Sequence, residues 1–467
     1  MSEVTRSRLA LALCLAAVAV GAAVRWPPIF NDFWLDEIWT WSTIRMLDSP
    51  LQVFTRVHQS NNHHLNTLIY YALGEHVDWW WYRVPAFAVG VASIGLAAAI
   101  AWRKGRPEAV FAAWLTAGSF ALVHFSSEAR GYAYAVFFAL VCLWALGRDR
   151  PWCRALFAVS ALLGFLSHLA FGFFYAGAIV WSWRRLGRQP GAVSALAALH
   201  ALPLVGLAAL YAVDLHTMTV GGGPPAVAEQ VLARTFGFGL GLPVGRGLGF
   251  AYAGLGGTLL ALGIHQLQRR RDDSWILYVI AIGIAPAAVM LSLRPEVVAV
   301  RYFLISLALL LLLSAFLLGD LYRSGGAQRI ASLLLLAGFL TGNAVHIRGF
   351  LEHGRGGYRE ALSWMARETD SPQIVVASDH DFRNGTVLRF YARELPANRH
   401  LDYRTPAQRP PAGPEWVIRH ALENPARVLE SFRDDRGHLF TLVADFPYSA
   451  ISGFHWALYR NAASRKP

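Results

Sequence analysis

Apolar stretches long enough to cross about 30 Å of hydrocarbon as helices dominate this chain. Nine of them suit one span each, at 9–24, 84–102, 109–125, 131–147, 192–213, 248–266, 274–293, 301–319 and 328–345. The apolar run 154–184 is too long for one helix, so we expect two spans hinged near Ser167-His168. Only 15% of the residues are charged, against about 25% in soluble domains. The sequence therefore predicts an α-helical polytopic membrane protein of about eleven transmembrane helices and excludes an ordinary cytosolic protein.

Charged residues divide the chain into two domains. Residues 346–467 hold 17 of the 42 Lys and Arg residues and 14 of the 30 Asp and Glu residues. This asymmetry predicts a transmembrane domain over 1–345 and a soluble α/β domain over 346–467. In the second domain we expect a helix at 358–367 and strands at 373–378, 415–418, 438–443 and 456–459.

Basic residues predict the orientation in the membrane. Sixteen Lys and Arg residues lie in six short connections, 1–8, 102–108, 147–154, 184–190, 267–273 and 320–329, while the longer alternate connections hold nine. Cytoplasmic loops carry the excess of Lys and Arg, so the N-terminus is predicted inside. Eleven spans then place the C-terminal domain outside. Arg in excess of Lys, with abundant Ala and Gly, suggests a GC-rich bacterial coding sequence, so we expect the protein in a bacterial cytoplasmic (inner) membrane.

The first outer loop, 25–83, is predicted to be structured. Its segment 64–77 is helical in pattern, but a crossing there would move every later basic cluster outside. We therefore expect 64–77 to lie along the outer surface as an interfacial helix. The aromatic run 79–82 then lies at headgroup depth, where such residues form belts.

The positions of the acidic residues argue against a transporter. The predicted membrane domain has 16 of them, and none is predicted at mid-span. A coupled transporter normally keeps carboxylates at mid-bilayer. A transporter or lipid-linked sugar flippase is therefore the less favoured hypothesis.

The adjacent carboxylates Asp36 and Glu37 follow the first span among the aromatics Trp34, Trp39 and Trp41. Limited solvation there suits a general base, with the second carboxylate orienting it or binding a metal. A solvated pair of loop acids is the alternative.

Three further polar clusters lie at predicted span mouths on the same face. They are Asn61–Asn66, which contains His63 and His64; Ser126–Tyr132, which contains Glu128, Arg130 and Tyr132; and Arg294–Glu296, followed by Arg301 and Tyr302. Taken alone, the cluster Asn61–Asn66 also fits a polar helix cap, and each arginine also fits an anchor for lipid phosphate. Together, arginines, histidines and carboxylates suit a substrate with an anionic headgroup and a hydrocarbon tail.

The order of these motifs resembles the GT-C glycosyltransferases that use polyprenyl-phosphate sugars, the superfamily of protein O-mannosyltransferases and lipid A aminoarabinose transferase. The resemblance rests on Asp36-Glu37, the helix start 61–71, Tyr82-Arg83-Val84-Pro85, the loop 128–132 and Arg301-Tyr302. It covers essentially the whole chain and implies the GT-C fold with an extracytoplasmic C-terminal domain. Two motifs depart from the family: His63-His64-Leu65 stands where His-Pro-Pro or Lys-Pro-Pro is usual, and Arg130-Gly131-Tyr132 where Arg-Pro-Tyr is usual.

The resemblance implies an inverting transfer of a sugar from a polyprenyl-phosphate donor to an envelope glycan, lipid or protein. Asp36 would be the base, with Glu37 beside it, and Arg130, Arg301 and Tyr302 would hold the donor phosphate. Candidates for the acceptor or a divalent cation such as Mg²⁺ or Mn²⁺ are His63, His64, Glu128 and Tyr132. The sequence leaves the metal, the sugar and the acceptor open.

Two further interpretations stay open. An O-antigen ligase or polymerase also acts on polyprenyl-linked glycans, but its key residues are expected in a late outer loop. Asp379, His380 and Asp381 follow a predicted strand and have the residue types of a metal site, although such loop residues more often lie at the surface.

Overall fold

The computed structural model describes residues 2–148, 150–219, 221, 223, 225, 227–293, 295, 297–449 and 451–464. The chain divides into two compact units. The helical unit comprises residues 1–29 and 44–347, and the sheet unit comprises residues 30–43 and 348–467. Asp36 and Glu37 therefore belong to the same unit as the C-terminal sheet.

In chain order the helices are α1 Glu3–Arg25, α2 Leu35–Ile44, α3 Gln52–Thr55, α4 His64–Leu73, α5 Val84–Trp102, α6 Arg106–Gly118, α7 Phe120–Ser126, α8 Tyr132–Leu146, α9 Pro151–Ser167, α10 Phe171–Leu186, α11 Ala192–Val213, α12 Ala228–Leu240, α13 Gly249–Arg269, α14 Trp275–Tyr278, α15 Ala285–Leu293, α16 Leu304–Ser324, α17 Gly326–His353, α18 Tyr358–Glu368 and α19 Asp381–Tyr391. A π-helical stretch, Val279–Ile284, joins α14 to α15.

Each predicted apolar segment is helical, but they differ in length and apolar character. Among the described residues, six helices are long and apolar enough to cross a membrane, or seven if the pair α6 and α7, bent by 60°, counts as one span. The helices α8 and α9 are apolar but shorter. The chain thus has several membrane-spanning helices, and the count of eleven stays a prediction. The expected hinge is confirmed, because α9 ends at Ser167 and α10 begins at Phe171.

The bend between α6 and α7 is held by polar side chains from other helices. Breaking a helix leaves carbonyls and amides without partners in the ladder. The buried Arg25 guanidinium donates to the carbonyls of Thr116 and Ala117, both at 2.9 Å. Asn343 accepts from the Phe120 amide at 2.7 Å. These bonds allow the broken helix to lie inside the bundle, where water is scarce.

The sheet unit contains one mixed six-stranded sheet in the order β2-β1-β3-β6-β5-β4. Its strands are β1 Gln373–Ser378, β2 His400–Tyr403, β3 Trp416–Ala421, β4 Ser431–Arg433, β5 Leu439–Phe446 and β6 His455–Asn461. β1 pairs in parallel with β2 and β3, and the other neighbours are antiparallel. The predicted C-terminal α/β domain is present, with β2, β4 and α19 in addition to the expected elements.

Aromatic side chains fix α2 against this sheet unit. Phe33 and Trp41 contact Phe390 on α19, with ring centroids 5.8 and 5.2 Å apart. The Tyr391 hydroxyl donates to the Phe33 carbonyl at 3.0 Å. The segment that carries Asp36 and Glu37 is therefore positioned by α19, although more than 300 residues separate the two in sequence.

Candidate functional site

Asp36 and Glu37 lie in the first turn of α2 but in different surroundings. The Glu37 side chain is fully buried, and its Oε2 accepts from the Trp34 amide at 3.3 Å. That contact caps the start of α2, where carboxylates are favoured. Asp36 is only half-buried. Of the two carboxylates, Asp36 is the more accessible to a reactant.

Arg383 connects Asp36 to a polar chain on the sheet unit. Burial lowers the Arg383 pKa, while attraction to Asp379 and Asp36 acts in the opposite direction. Arg383 Nη1 lies 3.1 Å from His420 Nε2, and His420 Nδ1 lies 2.8 Å from Asp379 Oδ1. His420 therefore donates to Asp379 and accepts from Arg383, and this bond holds the guanidinium, whose charge is attracted to that of Asp36.

The loop acids 379 and 381 form hydrogen bonds within the sheet unit. Asp379 accepts from His420 and Asn384, and Asp381 accepts from the Tyr403 hydroxyl at 2.8 Å. Over the described part of the chain, no three His, Cys, Asp or Glu side chains are grouped to hold a metal ion. These hydrogen bonds give both acids a structural role, in which they hold the loop between β1 and α19.

In the helical unit, His63 and Arg130 present two donors side by side. The Gly131 amide donates to His63 Nδ1 at 2.8 Å, so the proton of a neutral ring lies on Nε2. His63 Nε2 lies 3.3 Å from Arg130 Nη2. Because a neutral ring accepts at one nitrogen only, the shorter bond from Gly131 leaves two N–H groups facing each other here. A second Arg130 nitrogen donates to the Asn61 carbonyl at 2.9 Å and fixes the guanidinium. Adjacent N–H donors of this kind suit an anionic oxygen.

A second histidine, His168, lies beside this pair in the hinge between α9 and α10. Its Nδ1 accepts from the Ala170 amide at 3.1 Å, which again leaves the proton on Nε2. The His168 ring centroid lies 4.9 Å from that of His63, 5.1 Å from that of Tyr132 and 5.8 Å from that of Tyr302. The four rings thus bring together the start of α4, the start of α8, the α9–α10 hinge and the turn before α16.

Arg130 and Arg301 both act on these two histidines. Burial lowers the pKa of His63 far below its usual value, and the charges of Arg130 and Arg301 lower it further. The same three causes lower the pKa of His168 to about 3. Both rings are therefore neutral at neutral pH. We call Arg130, Arg301, His63 and His168 the two-arginine cluster; it combines two fixed positive charges with two neutral N–H donors.

His64 faces a different partner from its neighbour in sequence. Its Nε2 lies 2.6 Å from Asp214 Oδ2, and His58 Nδ1 lies 2.6 Å from the other Asp214 oxygen. Burial alone raises the Asp214 pKa, but the two histidine hydrogen bonds outweigh it and hold that pKa below its usual value. Glu128, fully buried, lies 3.7 Å from His124. His64 and Glu128 thus have structural partners outside the two-arginine cluster.

Sequence analysis missed Asp214, His58, His168, His420 and Arg383. Asp214 and His168 carry no motif of their own, and only the folding of distant loops brings them to His64 and His63. The predicted cluster at Arg294 and Glu296 lies outside the described residues. Arg301 and Tyr302 lie in the 3₁₀ turn Val300–Phe303, directly before α16.

Gly131 explains one departure from the family pattern. A Cβ at this position would lie 1.8 Å from the Ser167 carbonyl oxygen. Its amide also donates to His63, and proline has no amide hydrogen to give. Arg-Gly-Tyr is therefore what this packing requires, and proline would break the bond that sets the His63 tautomer.

Comparisons with known proteins identify the fold. No family model matches the chain, and no curated protein matches it. The crystal structure of ArnT from Cupriavidus metallidurans in the apo state matches over 97% of this chain and 98% of its own, with a TM-score of 0.51 and 12% identity. Archaeal oligosaccharyltransferase AglB from Archaeoglobus fulgidus, in complex with an inhibitory peptide and a dolichol-phosphate, matches over 90% and 70%, with a TM-score of 0.51 and 12% identity. Both are GT-C glycosyltransferases, so the likeness shows that this chain has the GT-C fold.

Proposed function

We propose that this GT-C chain is an inverting glycosyltransferase that moves a sugar from a polyprenyl-phosphate donor to an acceptor at the outer face of a bacterial cytoplasmic membrane. The observation that carries this function is the two-arginine cluster, in which Arg130 and Arg301 act on the same two neutral histidines. A phosphodiester with a lipid tail matches that charge and the apolar helices around it. The AglB structure contains a dolichol-phosphate, which supports a donor of this class.

In the proposed reaction the donor phosphate is the leaving group. Arg130 and Arg301 neutralise the charge that develops on it, and the N–H groups of His63 and His168 donate to its oxygens. Tyr302 lies against the His168 ring and fixes the mouth of α16. Because the phosphate leaves as a stabilised anion, no acid is needed to protonate it.

Asp36 is the proposed base. It takes the proton of the acceptor hydroxyl or amine as that group attacks the anomeric carbon, and a single displacement inverts the configuration. The Arg383 guanidinium and the Asp36 carboxylate attract each other through their opposite charges. Glu37 holds the first turn of α2. The steps proposed here use the chain's own groups.

The proposed topology follows the arginine count, with the N-terminus inside and the C-terminal domain outside. Cysteines introduced at Gly187 and Gly325 should be labelled only from the cytoplasm, and one at Asp402 only from outside. Labelling of position 402 from the cytoplasm would contradict both the topology and the face of the reaction.

A transfer assay tests the function. Purified protein is offered a panel of radiolabelled undecaprenyl-phosphate sugars with cell-envelope acceptor fractions, and the released undecaprenyl phosphate is quantified. We expect release with at least one sugar, and a loss of donor affinity of about 10- to 100-fold in Arg130→Gln and in Arg301→Gln, the range for a charge-assisted hydrogen bond. Arg→Lys variants should recover part of it, because lysine keeps the charge but not the bidentate geometry.

Arg56→Gln is the matched control, since Arg56 pairs with Asp48 at the exposed surface of the same outer loop. Movement of intact labelled lipid across a liposome membrane, without release of undecaprenyl phosphate, would instead indicate a flippase.

A further inference from the structure

Three arginines gather at the end of α8 that lies away from the two-arginine cluster. Arg103 Nη1 donates to the Gly147 carbonyl at 2.6 Å, and Arg148 Nη1 to the Trp144 carbonyl at 2.8 Å. Arg185, from α10, donates to the Leu146 carbonyl. The last carbonyls of a helix carry partial negative charge and attract cations. α8 begins at Tyr132 and has 15 residues, so at 1.5 Å per residue about 22 Å separates its two ends.

Several cations near these three guanidinium groups are paired with carboxylates. Lys104 pairs with Asp272, Arg184 with Asp273, and Arg270 with Glu108 and Asp320. Within the described residues, Arg103, Arg148 and Arg185 have carbonyl partners and no carboxylate partner. Burial lowers the Arg148 pKa, and repulsion from Arg103 and Arg150 lowers it further. Among the described residues, the end of α8 therefore carries three guanidinium groups without a carboxylate partner.

Two cavities meet at this cluster. One, of about 470 Å³, is lined by Arg103, Arg148, Arg185 and the segment 270–274, whose Asp272 and Asp273 are already paired. The other, of about 830 Å³, is an apolar groove between α1 and α5. Arg103 and Arg148 line both. The side chains along the groove include Leu11, Leu15, Val18, Ala98 and Ala99.

We propose that this end of the helical unit binds an anionic phospholipid, with its phosphate between Arg103 and Arg148 and an acyl chain along the groove between α1 and α5. A charged pocket opening directly into an apolar groove matches the two parts of such a lipid, whereas a soluble anion would use only the pocket. Basic pockets between transmembrane helices on the cytoplasmic side are suited to lipid headgroups, and this is the face predicted to be cytoplasmic. The site is separate from the proposed donor site, because the two lie at opposite ends of α8.

Native mass spectrometry of the delipidated full chain tests this site. Three probes are titrated: phosphatidylglycerol, phosphatidylcholine with the same acyl chains, and inorganic phosphate. We expect phosphatidylglycerol to bind at least about tenfold more tightly than phosphatidylcholine, as one charge-assisted contact supports. The double variant Arg103→Gln/Arg148→Gln should lose that preference, and the corresponding double Lys variant should keep part of it. Arg184→Gln is the matched control, because Arg184 lies next to Arg185 in the last turn of α10 but lines neither cavity.

A second variant separates lipid from free phosphate. Ala99→Phe fills the groove without changing an arginine, so it should weaken phosphatidylglycerol and leave inorganic phosphate unchanged. Equal binding of the two lipids would overturn the proposal, as would an unchanged preference in the double Gln variant. Phosphatidylglycerol binding that survives Ala99→Phe, with phosphate binding lost in the double Gln variant, would assign the pocket to a soluble anion. None of these measurements uses the sugar donor, so their outcome is independent of the proposed transfer reaction.

Discussion

Two histidines adjacent in sequence have opposite electrostatic surroundings. His63 lies against Arg130 with its Nδ1 committed to the Gly131 amide, whereas His64 lies against the Asp214 carboxylate. Burial and its positive neighbours favour the neutral His63 ring. His63 therefore supplies a donor to the two-arginine cluster, whereas His64 holds the loop that follows α11 through Asp214.

His168 carries a prediction about acid sensitivity. Its pKa in the folded chain is lowered to about 3, against about 6.5 unfolded. The unfolded chain therefore binds a proton that the folded chain does not, so this group makes the fold less stable as the pH falls from about 6.5 towards 3. His168→Asn keeps an acceptor for the Ala170 amide but has no ring to protonate. We expect it to show a smaller drop in apparent melting temperature between pH 7 and pH 4, along with weaker donor binding.

The measurement is thermal unfolding of wild type and variant over that pH range, with donor affinity at pH 7. An exposed histidine, His216→Asn, serves as the control and should follow the wild type. An identical acid profile for His168→Asn would show that the ring is not held neutral by its surroundings.

Asp36→Asn tests the proposed base at the same scale. The amide keeps the size of the side chain but removes its basicity, so turnover should fall by about 10² to 10⁴-fold while donor affinity is retained. Glu37→Gln should lose less activity, and its main effect should be on folding stability, because Glu37 caps α2. Turnover and donor affinity are measured on both variants. Near-normal turnover of Asp36→Asn would remove it from this role.

At the scale of elements, the close contact between the start of α8 and the end of α9 depends on Gly131. A Cβ there would meet the Ser167 carbonyl oxygen at 1.8 Å and the His63 ring at 2.9 Å. Gly131→Ala should therefore displace His63 and weaken donor binding by about tenfold or more, the worth of one charge-assisted hydrogen bond. Gly257→Ala on α13 has open space around the new methyl group and should leave donor affinity unchanged. Full affinity in Gly131→Ala would mean that the position of His63 does not matter.

The sequence predicted long elements better than short ones. Apolar runs of bilayer length mark the helices, because a bilayer imposes both length and composition. β2 and β4 were missed, since His400–Tyr403 and Ser431–Arg433 are short and have few apolar residues. At the start of α19 the sequence predicted only a polar loop. His380 caps that helix by accepting from the Arg383 amide at 3.3 Å, a signal that histidine seldom gives.

For the candidate site, too, the sequence pointed to some residues and missed others. Sequence analysis named Arg130, Arg301 and His63 because charged and polar residues stand at predicted span mouths, and the structure brings these three near one another. His168 and Asp214 were not named, because their roles come from contacts across 105 and 150 residues that no local pattern shows. The grouping of residues 30–43 with the C-terminal sheet unit has the same origin, in aromatic contacts between distant segments.

At the scale of the whole molecule, the residues named in the proposed reaction are distributed over both units. The helical unit holds the two-arginine cluster, and the sheet unit holds Asp36 with Arg383, His420 and Asp379. The arginines at the other end of α8 belong to the proposed phospholipid site, which has a different ligand. The central claim is that Arg130 and Arg301 share one lipid phosphate.

A cryo-EM map of the protein with undecaprenyl phosphate tests that claim most directly. We expect the phosphate density within about 3 Å of nitrogens from both Arg130 and Arg301, the distance of a charge-assisted hydrogen bond, with His63 Nε2 also facing it. Density bound by only one of these arginines, or found only beside Arg103 and Arg148, would contradict the assignment of the donor site.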